Sequence, residues 1–240
     1  MASSSWLVWP LMVAYPVILS AVNVIWSPTA MCLLGIGAVA AGQAVAITYE
    51  IQRHSEPVDG RAVLRHLYRP EGFVLLGAYL LMSWHAGALP TSYYESQGRT
   101  VNPVDVVKQL LCQEFFQYVA HRLQHIYRCK AHRFHHEHHN PQFYDAFDGS
   151  VRDTLYMVIV PLFATAHTVR TANAWSYMTF GTLYANWLCL IHSDKEHAWD
   201  RAFQALGLGT PRDHRGHHQK PHGNFGHLFL WFDYVFGTEL

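Results

Sequence analysis

The sequence predicts an all-α, integral-membrane helical bundle of about four transmembrane helices plus a further apolar hairpin, capped by a histidine-rich cytosolic domain. Three observations lead to this fold class. Half of the 240 residues are hydrophobic and only 14% are charged, whereas soluble domains carry about 25% charged residues. Apolar runs of membrane-spanning length alternate with polar connectors, and most of the 18 histidines follow residue 120. The polar chemistry is therefore expected in the second half of the chain.

The first two apolar runs, residues 6–26 and 29–49, contain no charged side chain. Each is close to the ~20 residues that a helix needs to cross the hydrocarbon core. They predict a helical hairpin, in which the prolines of the first run and the glycines of the second are tolerated by lipid. A cleaved signal peptide is disfavoured, because no basic residue precedes Trp6 and a second apolar run follows directly.

A polar connector at residues 50–71 leads to further apolar segments. Residues 72–89 are at the short end for a span, and residues 154–169 and 172–192 predict a second hairpin. Residues 104–128 are apolar along one face only, because glutamine, glutamate and lysine recur on the other. Such a helix is expected inside a bundle, with its polar stripe turned to protein or water.

Lysine and arginine are distributed unevenly between the two sides of the predicted bundle. They recur in residues 50–71, 121–153 and 193–240, whereas the opposite loops contain only Arg99 and Arg170. The positive-inside rule places the basic segments, the histidine groups and both termini in the cytosol. Because the formal net charge is zero and no long basic run is present, nucleic acid is not expected as a partner.

Three histidine groups have ligand-like spacing. HRLQH holds two histidines four residues apart, which places both rings on one helix face. HRFHH and HRGHH both have spacings of three and four, which again predict a shared face. Three such patterns on one side of a membrane argue against a merely solvated polar surface. The candidate ligands are His121, His125, His132, His135, His136, His214, His217 and His218.

Eight imidazoles exceed the four ligands that a single zinc ion takes. Two five- or six-coordinate ions fit this number better, and iron, manganese and copper all accept imidazole. The Glu-x-x-His pairs of soluble di-iron bundles do not occur in these groups. We expect two iron ions, because oxygen activation beside lipid is the chemistry that would need such a site.

The stretch HRFHHEHH leaves the ligand register open, because His138 and His139 extend beyond the HRFHH group and form a second, overlapping HxxHH. We prefer the register 132, 135, 136. For His139 the roles of ligand, supporting residue and surface residue are equally open. His138 is turned off the shared face and is expected to be supporting or exposed.

Several of these motifs together resemble the fatty acid hydroxylase and sterol desaturase superfamily of integral-membrane di-iron oxygenases. The resemblance covers about residues 100–240 and rests on HRLQH, on HRFHHE followed by Pro141, and on IHS at 191–193. HRGHH and the closing run GNFGHLFLWFDYVFGT at 223–238 complete it. These motifs are most similar to those of the sterol C4-methyl oxidases, followed by those of the sterol C5-desaturases.

The resemblance implies a fold and an activity. Residues 1–103 would be a membrane-spanning region, and residues 104–240 a catalytic region that carries a di-metal centre. The enzyme would use O2 and two electrons to hydroxylate or desaturate an unactivated C–H bond of a lipid. A sterol is the preferred substrate, with a fatty acyl chain or other lipid as the alternative. Electrons would come from NAD(P)H through a separate cytochrome b5-type carrier, since no HPGG haem motif is present. In a eukaryote the expected location is the endoplasmic reticulum membrane.

His192 is predicted to be a ninth ligand. It ends an apolar run, at the depth where His125 leaves the segment 104–128 if the hairpin returns to the cytosolic side. Eight ligands leave a two-metal centre short of a full shell, and IHS matches a recurrent histidine of the resembled superfamily. We expect a ring nitrogen of His192 in one cavity with His136 and His218; a structural residue at the membrane boundary is the alternative.

The sequence also predicts roles for other polar and aromatic residues. A carboxylate is expected to accept the second N–H of a ligand imidazole, with Asp213 and Asp233 preferred over Asp145 and Asp148. The aromatic stripe Phe115, Phe116 and Tyr118 is expected to be core packing, with substrate-channel lining as the alternative. The basic residues beside the groups could attract the electron carrier or anionic lipid; they are Arg122, Arg128, Lys130 and Arg133. Structural or packing roles are expected for His54, His66, His85, His167, His222 and His227.

Two non-enzymatic classes remain as alternatives. A bis-histidine haem protein would place single histidines on facing helices, whereas here they cluster at spacings of three and four. A metal transporter would place its ligands in mid-span, whereas the histidine groups follow the ends of the apolar runs.

Overall fold

The computed structural model describes residues 5–22, 27–54 and 58–240, and within them the protein is all-helical, as predicted. In this part of the chain β-structure is limited to one isolated antiparallel bridge between Leu208 and Phe229. The helices are α1 (Val8–Ala21), α2 (Pro28–Arg53), α3 (Gly60–Tyr68), α4 (Leu75–His85), α5 (Pro103–Ile126), α6 (Lys130–Arg133), α7 (Val151–Thr154), α8 (Val160–Thr168), α9 (Ala174–Ile191), α10 (Asp200–Ala205), α11 (Pro211–Gln219) and α12 (Trp231–Phe236).

Helix α9 is the centre of the bundle, and α1, α2 and α5 pack around it. Nearly all of its side chains are buried. Gly42 lets α2 approach α9 closely: a Cβ atom there would lie 2.5 Å from Thr182 Cγ2 and 2.6 Å from Asn186 Nδ2. Gln43 of α2 then donates to the Asn186 side-chain oxygen at 2.8 Å. A larger residue at position 42 would therefore separate the two helices.

The number of membrane spans is less clear than the fold class. Among the described residues, one helix, Thr29–Arg53, has the length and composition to cross a membrane, with a mean hydropathy of 2.0 over its most apolar window. Helix α1 is apolar but has 14 residues, and residues 23–26 of the predicted first span lie outside the described part. The expected count of about four transmembrane helices therefore remains a prediction.

Two of the predicted spans are not single α-helices. Within residues 72–89, a π-helical turn at Pro70–Val74 precedes α4, and Gly72 has the non-helical angles φ −106° and ψ −120°. Within residues 154–169, a π-helical turn at Leu155–Ile159 precedes α8. Because π-helical turns displace the chain from the regular α-helical path, they bend these segments around the centre of the molecule. Both turns supply residues to the cavities described below.

Helix α5 matches its prediction and carries the first histidine group into the bundle. It begins where the Asn102 side chain accepts the Val104 N–H at 3.0 Å, a usual N-cap. Its polar stripe is buried against protein, as expected: Gln109, Gln113, Glu114 and Gln117 are all buried.

Helix α11, which carries the third histidine group, begins with a reciprocal cap. The Thr210 backbone N–H and hydroxyl both donate to the Asp213 carboxylate, at 3.1 and 2.6 Å. This capping box fixes the first turn of the helix. It thereby sets the direction in which the following histidines project.

Candidate metal centre

The structure brings all nine predicted ligands together in two adjacent groups. Within each group, one nitrogen per residue lies within 4.8 Å of the corresponding nitrogen of every other member. The five-histidine group contains His121, His125, His132, His136 and His217, and the four-histidine group contains His135, His192, His214 and His218.

Each HxxHH motif contributes ligands to both groups. Histidines four residues apart stay together: His132 with His136, and His214 with His218. The histidine at the fourth position of each motif, His135 or His217, joins the other group. In α11 a separation of four rotates a side chain by about 40° around the helix, whereas a separation of three rotates it by about 60° the other way. One face of the helix therefore supplies both adjacent groups.

Two buried nitrogens of the four-histidine group face each other. His135 Nδ1–H donates to the Asp148 carbonyl oxygen at 3.2 Å, and His192 Nδ1–H donates to the Leu188 carbonyl oxygen at 2.5 Å. The Nε2 atom of a neutral imidazole then carries a lone pair and no hydrogen. These two Nε2 atoms lie 3.2 Å apart. Two lone pairs therefore meet without a hydrogen between them, a repulsive contact that a cation would relieve.

The five-histidine group has the same arrangement. His132 Nδ1–H donates to the Asp153 carboxylate at 3.1 Å, and His217 Nδ1–H donates to the Gly223 carbonyl oxygen at 2.7 Å. Their Nε2 atoms lie 3.0 and 3.1 Å from His136 Nε2. A single imidazole hydrogen on His136 could satisfy only one of the two.

The spacing of these nitrogens suits metal ions. Imidazole nitrogens bind first-row metals at about 2.1 Å, so two ligands at right angles around one ion are about 3.0 Å apart. The closest Nε2–Nε2 distances in the four-histidine group, 3.0 Å for His192–His214 and 3.1 Å for His214–His218, match that value. The residues present therefore fit a pair of imidazole-bound ions.

Burial keeps the imidazoles of His135, His214 and His217 neutral. Burial, followed by the neighbouring His132, lowers the pKa of His135 to about 4. Burial and adjacent histidines also lower the pKa of His214 and His217 well below the ordinary value. Since only a neutral imidazole can bind a metal, these residues are in the binding form at neutral pH.

The groups that orient the ligands are mostly backbone carbonyls, with one carboxylate that the sequence analysis missed. Asp153 accepts from His132, and it also accepts from Gln124 at 2.9 Å. Burial alone would raise the pKa of Asp153, but the hydrogen bonds from His132 and Gln124 contribute to lowering it below its usual value. His121 Nδ1–H donates to the Phe225 carbonyl oxygen at 2.8 Å. The Nδ1 atoms of His136 and His218 are buried without a hydrogen-bond partner in the described part of the chain.

The carboxylates that were expected to orient the ligands have other partners. Asp213 caps α11, and Asp233 accepts the Phe225 and Gly226 N–H groups at 2.8 Å each. Asp145 accepts the Gln142 N–H at 2.9 Å. The backbone carbonyl of Asp148, and not its side chain, accepts from His135; the Asp148 carboxylate pairs with Arg69 and His138. These expectations were wrong, because three of the carboxylates bind backbone N–H groups and the fourth pairs with side chains outside the ligand groups.

The structure also shows where other histidines with predicted roles lie. His139 is exposed and belongs to neither group, and His138 contacts Asp148 at 3.2 Å on the surface. His192 lies with His218, as expected, whereas His136 belongs to the other group. His66 is buried between Gln43 and the Tyr144 carbonyl oxygen, the satisfied structural role predicted for it. In the aromatic stripe, Tyr118 packs on α12 residues Phe232 and Phe236.

A small chamber adjoins the two groups and lies next to an apolar cavity. His132, His135, His192 and His227 line the chamber. The apolar cavity lies between α2, α4 and α9. Four residues line both spaces and form a neck between them: Phe147, Thr154, Val158 and Leu188. The histidine groups are thus close to an apolar cavity inside the bundle.

Comparison with known proteins identifies the class. The sequence model of the fatty acid hydroxylase family matches residues 106–238, more than half of the chain. The chain therefore belongs to that family, which confirms the resemblance and supports a lipid-modifying oxygenase. Members are typically iron-dependent.

One curated relative is similar along almost the whole chain. The "Alternative squalene epoxidase" of Phaeodactylum tricornutum is 39% identical over 277 residues, which cover 99% of this chain and 79% of the relative. No solved structure matches the chain.

Proposed function

We propose that this chain is a membrane-embedded, non-haem di-iron monooxygenase that epoxidises a carbon–carbon double bond of squalene or a similar polyisoprene hydrocarbon. The observation that carries the metal centre is the contact between the bare Nε2 atoms of His135 and His192, 3.2 Å apart. A buried pair of lone pairs at this distance is costly unless a cation lies between them. Iron fits the family and the all-imidazole donor set.

The lining of the apolar cavity supports a hydrocarbon substrate. Its walls are mainly aliphatic and aromatic side chains. The tyrosine hydroxyls on its wall are already occupied, since Tyr177 hydrogen-bonds Tyr79 and Tyr184 donates to Glu114. Apart from Thr154 and the unpartnered indole N–H of Trp84, this lining offers few groups that could replace the hydrogen bonds of a sterol hydroxyl or an acyl headgroup to water. A pure hydrocarbon needs no such replacement.

The relative's name changes the expected reaction from hydroxylation or desaturation to epoxidation. When bound, the two iron ions would supply the reduction of O2: one alkene, one O2, two electrons and two protons give one epoxide and one water. The protein contributes the neutral ligands, the neck that directs the alkene to the chamber, and a cavity that excludes water.

The proposal also includes the orientation of the protein in the membrane and the source of its electrons. The histidine groups and both termini face the cytosol, in the endoplasmic reticulum membrane if the cell is eukaryotic. Electrons come from NAD(P)H through a separate cytochrome b5-type carrier. Arg128, Lys130 and Arg133 are exposed beside the five-histidine group and would attract an acidic carrier surface.

The test is to offer squalene, a 4-methyl sterol and a fatty acyl lipid in parallel to membranes that contain the protein, with ¹⁸O2, NADPH and a reductase. The host should lack squalene epoxidase activity of its own. We expect squalene epoxide that carries one ¹⁸O atom, and no product from the matched His217→Ala variant. A hydroxylated or desaturated sterol or acyl product would replace the proposed reaction with that of the other superfamily members. A Soret band in the purified protein would instead indicate haem.

A further inference from the structure

His227 is a tenth imidazole beside the two histidine groups, and the proposed function gives it no role. Its ring packs on His121 of the five-histidine group and on His214 of the four-histidine group, with ring centroids 4.8 and 5.1 Å away. The residue is 5% exposed. Among the described residues outside the nine ligands, His227 has ring contacts with members of both groups; Phe225 contacts the five-histidine group alone.

The backbone of His227 is fixed from two sides. Its N–H donates to the buried Glu114 carboxylate at 2.5 Å, and its carbonyl oxygen accepts the Trp187 indole N–H at 2.9 Å. Gly209 approaches from a third direction, where a Cβ atom would lie 2.3 Å from the His227 oxygen. The position of the ring is therefore set by α5, α9 and the turn before α11.

The imidazole of His227 has unused hydrogen-bonding capacity. Its Nδ1 atom is buried without a partner in the described part of the chain. A buried, unmatched nitrogen costs about 1–3 kcal/mol, so a residue present only for packing would be better replaced by an apolar one. His227 also lines the chamber, together with His135 and His192. Its ring is thus at the side of the two groups from which the substrate would arrive.

Metal binding does not account for this residue. His227 belongs to neither ligand group, because its nitrogens do not lie within 4.8 Å of all members of either. We propose, on the basis of the proposed function, that His227 is a positioning residue of the two-metal centre. It binds neither ion, and its imidazole hydrogen-bonds the small non-protein ligand held between the two groups on the chamber side. A neutral imidazole offers one donor and one acceptor nitrogen for this contact.

The test uses azide as the probe of the non-protein ligand position in the purified, iron-loaded protein. Azide binding is followed through the charge-transfer absorption of the oxidised protein, and iron per chain is measured on the same samples. We expect His227→Phe to keep about two iron ions per chain and to bind azide about tenfold more weakly, the effect of losing ~1.4 kcal/mol. His227→Gln, whose amide also offers a donor and an acceptor, should restore the affinity to within about twofold. His227→Leu provides a second apolar variant if the phenylalanine does not fit. The exposed His222→Phe is the matched control and should change neither quantity.

Two results would overturn the assignment. Loss of one iron in the His227 variants would make the residue a ligand. Unchanged azide affinity in an apolar variant that keeps both ions would leave it a packing residue. Failure of the proposed function is a different result, because the wild-type protein itself would then lack two iron ions or would not form epoxide.

Discussion

The two histidine groups contain the same kind of ligand but differ in number, burial and support. The five-histidine group includes two half-exposed members, His125 and His136, whereas all members of the four-histidine group are buried. The five-histidine group is oriented in part by a carboxylate, Asp153, through His132. In the four-histidine group the orienting partners of His135 and His192 are backbone carbonyls.

This difference indicates that the two proposed ions have different roles. A group with five ligands and a supporting carboxylate holds its ion firmly, since carboxylates behind ligand histidines raise ligand basicity. A group with one nitrogen fewer has more room for a ligand from outside the protein. Two of its members, His135 and His192, also line the chamber next to the apolar cavity. We therefore expect the four-histidine group to be the more sensitive to loss of a ligand.

The largest expected effect is that of His192→Ala. Because the group has only four nitrogens and all of its members are buried, we expect this variant to hold about one iron per chain and to form no detectable epoxide. His125→Ala is the matched variant in the other group, where the half-exposed site lets water replace the lost ring. Iron content and turnover should both be higher in His125→Ala than in His192→Ala. The opposite order, with both proteins recovered from the membrane fraction, would show that the four-histidine group is not the more sensitive to loss of a ligand.

The second effect concerns the carboxylate of the five-histidine group. Asp153→Asn removes the charge behind His132, so the affinity for iron should fall by about 10–100-fold in competition with a chelator. Asp59→Asn is the control, since Asp59 caps α3 with an exposed side chain that accepts the Arg61 N–H. It should leave iron affinity unchanged. An equal loss in both variants would mean that Asp153 contributes to general stability and not to the metal centre.

A smaller effect is expected at the neck between the chamber and the apolar cavity. Val158→Phe should narrow this passage and lower turnover about tenfold, within the range over which pocket shape discriminates substrates, while iron stays at about two per chain. Val160→Phe, two residues further on and 55% exposed, adds the same side chain outside the cavity. Product analysis by mass spectrometry would compare the two. Normal turnover in Val158→Phe would exclude this route for the substrate.

The smallest expected effect concerns His197, a buried histidine outside both groups. This residue shows what burial alone does to a histidine that binds no metal. Its Nε2–H donates to the Leu190 carbonyl oxygen at 2.9 Å, and its Nδ1 accepts from Arg53 at 2.7 Å and from Tyr49 at 3.1 Å. Burial, followed by the charge of Arg53, lowers the pKa of His197 to about 3. The unfolded chain takes up a proton near pH 6.5, which the folded protein does not do until about pH 3. His197 therefore contributes stability above pH 6.5 that is lost as the pH falls towards 3.

The measurement is the thermal unfolding midpoint of the wild-type protein and of His197→Gln between pH 7 and pH 5. The wild-type midpoint should fall by roughly 4–8 °C more than that of the variant, the response to about 2 kcal/mol in a chain of this size. The nearby Asp200, which accepts the His197 backbone N–H, is present in both proteins and cancels in the difference. If the unfolding midpoints of the two proteins changed equally with pH, His197 would be protonated in the folded protein.

Local spacing made the ligands predictable from the sequence. His121 and His125, or His214 and His218, are one helical turn apart, so the pattern indicates their proximity without any tertiary information. The cap formed by Asp213 could also have been recognised, because Thr210 precedes it by three residues. Asp153 could not, because the contact with His132 depends on how α7 packs against α6. The assignment of His135 and His217 to opposite groups depends on the same packing.

The ligand contacts between distant parts of the chain have a consequence for how the protein resists unfolding. His136 and His217 meet across 81 residues, and His135 and His192 meet across 57. An ion bound to both ends of such a loop is a cross-link, and a disulfide closing a loop of this length removes chain entropy worth about 4 kcal/mol from the unfolded state. Metal binding and folding are then coupled for the segments that these ligands join. The contact between α2 and α9 is made by close helix packing at Gly42 and involves none of the ligands.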